Sequence, residues 1–323
     1  MDVLNPPTFA DVLDARRVIG QYIHRTPLRH YPGLSRLVGA EVWVKHENLQ
    51  VLNVFKVRGG LNLVSRLSPE EKRRGLVTAS SGNHGQSISF AARTFGAAAT
   101  IVVPEGANPA KVQSIRDLGA AVVFHGSHYD VSREHAIGLS REHGMRYVDA
   151  ADEPLLIAGV ATYSLEIFED LGAVDFIIAP VGAGSGACGA CIVAEAVSPA
   201  TRVIGVGPEA APAGYLSWKA GAIHTAPMCT QAEGLATASG YELPQSIMRR
   251  LLSDFVLVSE ESILDAIRTY AVEAHTLVEG AAAAPLAAAL SIRDRLKGKR
   301  VVLIASGANI SPKQLKDAFS QVF

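Results

Sequence analysis

The feature that most constrains the fold is an alternation of short apolar segments with longer segments of helical spacing. From residue 75 onward, runs rich in Val, Ile and Leu, such as 76–79, 100–103 and 176–179, are each followed by a helical pattern. The run at 176–179 is apolar without interruption, which is typical of a parallel strand covered by helices on both faces. The alternation predicts an α/β fold with doubly wound parallel sheets.

The same patterns predict the individual elements and their grouping. Strands are expected at 41–45, 76–79, 100–103, 121–124, 146–148, 176–179, 203–206, 256–258 and 301–304. A helix is expected after Thr8, and another follows the segment 80–86 and runs through 95. Further helices are expected at 109–118, 132–142 and 154–171, after 186, at 260–277, at 281–295 and from 311. We expect a small domain over 51–146 and a large domain formed by 1–50 and 147–323.

Three of the predicted strands end in segments rich in glycine and small polar residues. These segments are 80–86, 182–186 and 305–309. Ligands of doubly wound sheets bind at the carboxyl ends of the strands. We therefore expect the three segments to lie near one another and to form a ligand site.

A single lysine, Lys56, lies inside an apolar run and is followed by Gly59 and Gly60. A buried ammonium group is costly unless it is paired or neutralised. A lysine kept in such a place suits a neutral amine that acts as a nucleophile or Schiff-base partner. The alternative is an amphipathic helix whose lysine points to solvent.

The segment 182–186, Gly-Ala-Gly-Ser-Gly, follows a buried strand and precedes a helix. Small residues allow an anion to approach the backbone, and the helix N-terminus presents free amides, so the segment can hold a phosphate. No Gly-Lys-Ser/Thr follows, so it is not a P-loop. A tight packing turn and a dinucleotide-binding loop are the alternatives.

The other two segments offer polar side chains at strand ends. Ser80 to Gln86 contains two hydroxyls, an amide and an imidazole, which can bind a carboxylate, although Ser80 or Ser81 can equally be a helix N-cap. Ser306 offers a neutral hydroxyl, or lies in a simple turn. Cys188 and Cys191 have the spacing of a CxxC pair, but no second pair exists, and we interpret them as small core residues.

Composition excludes several classes of protein. The chain of 323 residues is 48% hydrophobic and 19% charged, with a formal net charge of −1. No basic tract indicates binding to nucleic acid or to a membrane surface, and no apolar run is long enough to span a bilayer. Three cysteines and an N-terminus without a signal-peptide pattern predict a cytoplasmic protein.

Together these segments resemble one known family. Residues 47–50 with 55–59, and residues 80–86, are similar to the lysine motif and the asparagine loop of the serine/threonine dehydratases, which include threonine ammonia-lyases and serine racemases. The resemblance covers essentially the whole chain in order. It implies the fold-type II (tryptophan synthase β-like) arrangement, pyridoxal 5′-phosphate as cofactor, a small amino-acid substrate and a homodimer.

The resemblance also implies roles for single residues. Lys56 is expected to bind the cofactor aldehyde and then to act as the catalytic base, with Ser81 as acid or base on the opposite face. Cofactor contacts are implied for Phe55, Lys56, Asn83, Gly182, Ala183, Gly184, Ser185, Gly186, Glu279 and, at the pyridine nitrogen, Ser306. Binding of the substrate carboxylate is implied for Ser80, Ser81, Gly82, Asn83 and His84.

Some positions depart from the family pattern. Val51 to Val54 replace a Pro-Thr-Gly-Ser sequence, which we expect to remove a tight turn and to change the substrate preference. Val160 and Ala161 replace Gln and Gly, with the same expectation. Gly207 and Ala213 stand where cation-binding members carry carboxylates, so no metal site is expected.

The sequence supports one leading function and several alternatives. The leading one is β-elimination from L-threonine, L-serine or a similar β-hydroxy amino acid, which gives a 2-oxo acid and ammonia. The alternatives are amino-acid racemisation, which Ser81 permits, and dehydration of another hydroxy amino acid such as 3-hydroxyaspartate. A cofactor-bound sensor without turnover and a nucleotide-dependent dehydrogenase explain fewer of the residues.

Overall fold

The protein forms two β-sheets with helices around them, and a computed structural model describes residues 4–320. Within that range the strands are β1 Leu28–His30, β2 Glu41–Lys45, β3 Leu76–Ala79, β4 Ala99–Val103, β5 Ala121–Phe124, β6 Arg146–Tyr147, β7 Phe176–Pro180, β8 Arg202–Pro208, β9 Asp254–Val258 and β10 Arg300–Ile304. The predicted strands are all present, which confirms the α/β class.

The helices cover the sheets on both faces. They are α1 Phe9–Ile19, α2 Pro32–Val38, α3 Lys56–Ser65, α4 Pro69–Arg74, α5 Asn83–Phe95, α6 Pro109–Asp117, α7 Tyr129–His143, α8 Pro154–Leu171, α9 Ser185–Val197, α10 Ala213–Ala220, α11 Glu242–Leu251, α12 Glu260–Glu273, α13 Gly280–Ser291, α14 Arg293–Leu296 and α15 Pro312–Phe319. Helix α12 ends four residues before the predicted boundary at 277, and the helix predicted at 281–295 is divided into α13 and α14.

The larger sheet has the strand order β1-β2-β10-β7-β8-β9. All of its neighbouring strands are parallel except β1, which pairs antiparallel with β2 at the edge. Sequence patterns had predicted only a break near residue 27. The central strands carry fully buried residues on both faces, such as Ile177, Ile178, Val302 and Leu303. This burial explains why β7 is apolar without alternation.

The smaller sheet has the strand order β5-β4-β3-β6, and all of its strands are parallel. Its strands lie between residues 76 and 147, so β6 extends one residue past the predicted domain boundary at 146. The division of the chain into a domain at 51–146 and a second domain around it stays a prediction.

Helices α3 and α8 pack closely against each other between the sheets. A Cβ atom added to Gly159 of α8 would lie 2.5 Å from the Arg58 carbonyl oxygen and 2.7 Å from the Gly59 Cα of α3. Only glycine permits this approach without a backbone shift. The close packing fixes α3, whose first residue is Lys56, relative to the larger sheet.

No helix within residues 4–320 is both long and apolar enough to cross a membrane. In the same range, no group of three or more His, Cys, Asp or Glu side chains is arranged to hold a metal ion. The expectation that the protein binds no metal stays a prediction.

Candidate active site

The three strand-end segments meet at one cavity of about 1240 Å³. Segment 80–86 follows β3, segment 182–186 follows β7, and segment 305–309 follows β10. Every residue to which the sequence assigned a role lines this cavity: Phe55, Lys56, Ser80, Ser81, Gly82, Asn83, His84, Gly182, Ala183, Gly184, Ser185, Gly186, Glu279 and Ser306. The prediction that these segments come together is therefore confirmed, whereas their individual roles stay proposals.

Lys56 begins helix α3 and lines the cavity. Its Nζ donates a hydrogen bond to Ser185 Oγ at 3.1 Å and lies 5.4 Å from the centre of the Phe55 ring. Loss of hydration lowers the pKa of the Lys56 amine to about 8, and no nearby carboxylate in the described chain offsets this effect. A substantial fraction of the amine is thus neutral near pH 8, as a nucleophile requires.

A second buried lysine, Lys45, differs from Lys56 in its partners. It is fully buried, and its Nζ donates to Glu166 Oε2 at 2.5 Å and to the Thr26 carbonyl at 2.8 Å. Burial lowers the pKa of Lys45, while the Glu166 charge opposes the change. Of the two lysines, only Lys45 has a carboxylate partner, and only Lys56 lines the cavity.

The segment 182–186 has the geometry of an anion cradle. Gly184 adopts a φ of 97°, and a Cβ atom on Gly182 would lie 2.3 Å from the Gly234 carbonyl oxygen. Helix α9 starts at Ser185, so the amides of its first turn have no acceptor within the helix. These amides, the dipole of α9 and the Ser185 hydroxyl fit a phosphate group.

The segment 80–86 keeps its hydroxyls available. Helix α5 begins at Asn83 with Gly82 as its N-cap, and no side chain caps it. The alternative in which Ser80 or Ser81 is the N-cap is therefore wrong. Ser80 Oγ accepts a hydrogen bond from the Gly82 amide at 3.2 Å, and both serines line the cavity.

His84 lies at the base of the same segment and is buried. Its Nε2 is 3.1 Å from Thr78 Oγ1. Burial, and next the positive charge of Lys56, lower the pKa of His84 to about 3. The imidazole is therefore neutral at physiological pH and cannot attract a carboxylate by charge.

Asn83, Glu279 and Ser306 lie on the side of the cavity formed by the end of β10. Asn83 Nδ2 donates to Glu279 Oε1 at 3.0 Å, and burial raises the pKa of the Glu279 carboxyl although this hydrogen bond acts against the change. Ser306 is almost fully buried, and its carbonyl accepts a hydrogen bond from the Phe55 amide at 3.0 Å. A neutral hydroxyl, an amide and a largely buried carboxyl thus face the cavity from this side.

The structure also brings charged residues to the cavity that motif analysis missed. Lys111 of α6 forms an ion pair with Glu233, and both line the cavity. Arg133 of α7 lines it as well and donates to Asp149 Oδ2 at 3.1 Å. The helices that carry Lys111 and Arg133 follow β4 and β5, so the rule that pointed to the other segments could also have indicated them.

The turn before Lys56 is present, contrary to the expectation that Val51 to Val54 remove it. The Asn53 amide donates to the Gln50 carbonyl at 2.7 Å. Leu52 and Asn53 adopt left-handed conformations with φ of 64° and 54°, which is unusual for residues other than glycine. The turn is kept at the cost of local backbone strain.

The positions that depart from the family pattern were expected to change the substrate preference. Residues 51–54, 160 and 161 are absent from the described lining of the cavity. Val160 packs where Gly59 of α3 approaches α8, and Ala161 packs against Gly189 of α9. The expectation that these positions change the substrate preference stays a prediction.

Cys188 and Cys191 are buried in helix α9, and burial raises the pKa of both thiols. Cys188 Sγ donates to the Pro244 carbonyl at 3.4 Å. Such thiols are poor metal ligands and poor nucleophiles. The interpretation of the pair as small core residues is confirmed.

The donor set fits pyridoxal 5′-phosphate. An amine with a lowered pKa can bind the aldehyde, the cradle at 182–186 can hold the phosphate, Asn83 can donate to the phenolic oxygen, and Ser306 can meet the pyridine nitrogen. A Cβ atom on Gly182 would clash with the Gly234 carbonyl oxygen, so only glycine fits at this position of the loop.

Comparison with known proteins supports this fit. Residues 19–307 match the family described as pyridoxal-phosphate dependent enzyme. The chain is 38% identical to L-threonine ammonia-lyase of Thermotoga maritima over 94% of this chain and 76% of that protein. It is 34% identical to L-threo-3-hydroxyaspartate ammonia-lyase of Saccharomyces cerevisiae over 95% of both chains.

A solved structure agrees with these sequence relatives. Serine racemase from Dictyostelium discoideum superposes with a TM-score of 0.89 at 33% identity, over 94% of this chain and 99% of that chain. The protein therefore belongs to the pyridoxal-phosphate-dependent enzymes and has their fold-type II architecture.

Proposed function

We propose that the protein is an ammonia-lyase that removes water from a small β-hydroxy amino acid and releases a 2-oxo acid and ammonia. The observation that carries this proposal is Lys56, an amine without a carboxylate partner that lies beside a phosphate cradle in the cavity. The ammonia-lyase relatives, at 34–38% identity, support the same class of reaction.

When bound, pyridoxal 5′-phosphate supplies an electron sink for the electrons left by the departing α-proton. The chain's own groups do the rest. The cradle at 182–186 holds the phosphate, and the hydroxyls of Ser80 and Ser81 with the free amides of α5 bind the substrate carboxylate. Lys56, neutral in a fraction that grows above pH 8, accepts the α-proton.

The hydroxyl of Ser306 affects which reaction the site favours, because it would lie near the pyridine nitrogen of the bound cofactor. A hydroxyl opposite the pyridine nitrogen does not stabilise its protonated form, whereas a carboxylate would. This favours immediate loss of the β-hydroxyl over accumulation of negative charge. We expect Ser306→Asp to slow elimination and to change the product ratio, measured by oxo-acid release with chiral analysis of the remaining substrate. Unchanged rate and products would refute this role.

The central experiment is an oxo-acid assay with a panel of L-serine, L-threonine and 3-hydroxyaspartate. Wild type is expected to show the visible band of bound cofactor and to release oxo acid, whereas Lys56→Ala is expected to do neither. Lys297→Ala, at an exposed lysine far along the chain, serves as the matched control and should behave as wild type. A Lys56→Ala protein that still released oxo acid would overturn the proposal.

One observation favours a substrate with a second carboxylate. Arg133 lines the cavity, and its guanidinium, which has five N–H donors, donates one hydrogen bond to Asp149. A guanidinium of this kind can bind a second carboxylate through two hydrogen bonds. Arg133→Gln should then raise KM for 3-hydroxyaspartate by about tenfold and leave KM for serine nearly unchanged. Equal changes for both substrates would exclude this contact.

Ser81 favours racemisation as a second activity. It lines the cavity, and no helix-capping role occupies its hydroxyl. A hydroxyl on the face opposite Lys56 can return a proton to the other side of the α-carbon. Ser81→Ala should abolish formation of the D-enantiomer while some elimination remains. Failure of wild type to form any D-enantiomer would exclude this activity.

We also propose that the protein is a cytoplasmic homodimer. Its cysteines are free thiols, which agrees with a reducing compartment. Apolar side chains such as Val272, 63% exposed, and Leu277, 45% exposed, suit burial between two copies. Light scattering after gel filtration measures the mass, and a single species of about 34.1 kDa would contradict the dimer.

A further inference from the structure

Asn309 lies where three segments of the site meet, and the proposed reaction does not use it. Its side-chain Nδ2 donates to Asn83 Oδ1 at 2.8 Å and to the Leu52 carbonyl oxygen at 3.1 Å. One amide group thus contacts the start of helix α5 and the turn before Lys56. Asn309 itself follows β10 in the segment that contains Ser306.

These contacts define the orientation of the Asn83 amide. Its Nδ2 donates to both oxygens of the Glu279 carboxyl, at 3.0 and 3.3 Å, and its Oδ1 accepts from Asn309. A half-turn of the amide would place two NH₂ groups against each other and a carbonyl oxygen against the Glu279 carboxyl. Because both sides of the amide are matched to their partners, only one orientation satisfies all three residues.

The fixed orientation leaves one donor directed elsewhere. The Asn83 NH₂ group has two hydrogens, and one N–H shared between the two Glu279 oxygens leaves the other for a different acceptor. Asn83 also lines the cavity, so the second N–H remains for an acceptor in the cavity. In the opposite orientation the cavity would meet an oxygen, which cannot donate to the phenolic oxygen of the cofactor.

The second bond of Asn309 holds a strained turn. Leu52 has a φ of 64°, and its carbonyl accepts from Asn309 Nδ2. Backbone bonds join the same segments: the Ala308 amide donates to the Asn53 carbonyl at 2.9 Å, and the Phe55 amide donates to the Ser306 carbonyl at 3.0 Å. The segment after β10 is therefore attached to the residues directly before Lys56.

We propose that Asn309 is a positioning residue that fixes the Asn83 amide with a donor facing the cofactor's phenolic oxygen. Through the Leu52 carbonyl, it also ties this donor to the turn that precedes Lys56. The inference concerns cofactor binding. It therefore holds whether the enzyme eliminates water or racemises its substrate, and it goes beyond the proposed function.

A double-mutant cycle tests the proposal with Asn309→Ala, Asn83→Ala and the double variant. The dissociation constant for pyridoxal 5′-phosphate is measured on the cofactor-free proteins, and the pH midpoint of the bound cofactor's absorption change is measured on the loaded ones. Asn309→Ala should weaken binding about 3- to 10-fold and shift the midpoint, because one oriented hydrogen bond is lost. In the Asn83→Ala background it should change binding less than about twofold.

Two results would overturn the proposal. If Asn309→Ala weakens binding equally in both backgrounds, Asn309 acts through the Leu52 turn alone and not through Asn83. If it changes neither quantity, the hydrogen bonds do not position the cofactor. Asn309→Ser, whose hydroxyl is one bond shorter than the amide, replaces the alanine variant if thermal unfolding shows that the latter is not folded. Neither readout requires turnover, so a failed lyase assay leaves this test intact.

Discussion

Glu166 is the centre of a buried ion network, and its neutralisation by Glu166→Gln should strongly destabilise the protein. Its carboxyl contacts Lys45 Nζ at 2.5 Å and the Arg58 guanidinium at 2.7 and 3.0 Å. Glu47 pairs with the other side of Arg58 at 2.7 and 2.8 Å. The network holds two positive and two negative charges, so Glu166→Gln leaves one buried positive charge without compensation.

The expected loss of stability can be worked out from this geometry. Removing one partner from a buried ion pair costs about 3–5 kcal/mol. An unfolding entropy of about 2.1 cal/mol/K per residue gives about 0.7 kcal/mol/K for 323 residues. A loss of about 4 kcal/mol therefore lowers Tm by about 6 °C.

Glu169→Gln is the matched control, because Glu169 lies on the same helix and also pairs with two arginines. Its partners are Arg16 and Arg25, but its side chain is 30% exposed and theirs are 46% and 40% exposed. Exposed pairs contribute about 0–1 kcal/mol, so this variant should lose no more than about 1.5 °C. Both variants are compared with wild type by circular dichroism at one scan rate.

The dependence on pH supplies a second check. Burial acts to raise the pKa of the Glu166 carboxyl, but Arg58 and Lys45 outweigh it, and the pKa lies below its ordinary value of 4.5. The ionised carboxyl thus stabilises the fold above about pH 4.5, and this contribution is lost as the pH falls below that value. The difference in Tm between wild type and Glu166→Gln should become smaller as the pH falls below about 4.5. A Tm loss equal to that of Glu169→Gln at pH 7 would refute the reasoning.

Three further predictions concern the cavity and the turn beside it. In stopped-flow absorbance, the rate at which cofactor-free protein captures pyridoxal 5′-phosphate should rise with pH and level off above a midpoint near 8, the pKa of Lys56. A midpoint near 10.5 would show that burial does not lower the pKa of this amine. Gly182→Ala should weaken cofactor binding at least about tenfold, because its Cβ would lie 2.3 Å from a carbonyl oxygen, whereas Ala183→Gly should change it little in the same titration. Asn53→Ala should destabilise the protein by about 1 kcal/mol at a φ of 54° while Asn53→Gly does not, and equal melting temperatures would argue against strain in this turn.

Local sequence patterns predicted most of the strands because their signals are local. Runs such as Phe176–Pro180 are apolar, short and followed by glycine-rich turns. The edge strand Leu28–His30 was missed, since it has only three residues and exists through pairing with β2. Helix α11 was also missed, although its buried residues Leu243, Ile247 and Met248 have helical spacing.

The site residues could be predicted for a related reason. A phosphate cradle, a hydroxyl-rich helix start and a lysine in an apolar run are each short segments, and parallel strands bring their ends to one edge. Arg133 and Lys111 carry no comparable local motif. Their place in the cavity depends on where α6 and α7 pack, so they were found only in the folded protein.

The sequence by itself determined the α/β class and pointed to Lys56 and the three glycine-rich segments at strand ends, because periodicity and loop composition are properties of neighbouring residues. Only the tertiary structure decided which buried lysine has a counter-charge, since Glu166 is 121 residues from Lys45 in the chain. It also decided that Val160 packs where Gly59 of α3 approaches α8, and that Asn309 meets Asn83 across 226 residues. Contacts of this kind depend on how helices and sheets pack, and no local pattern carries that information.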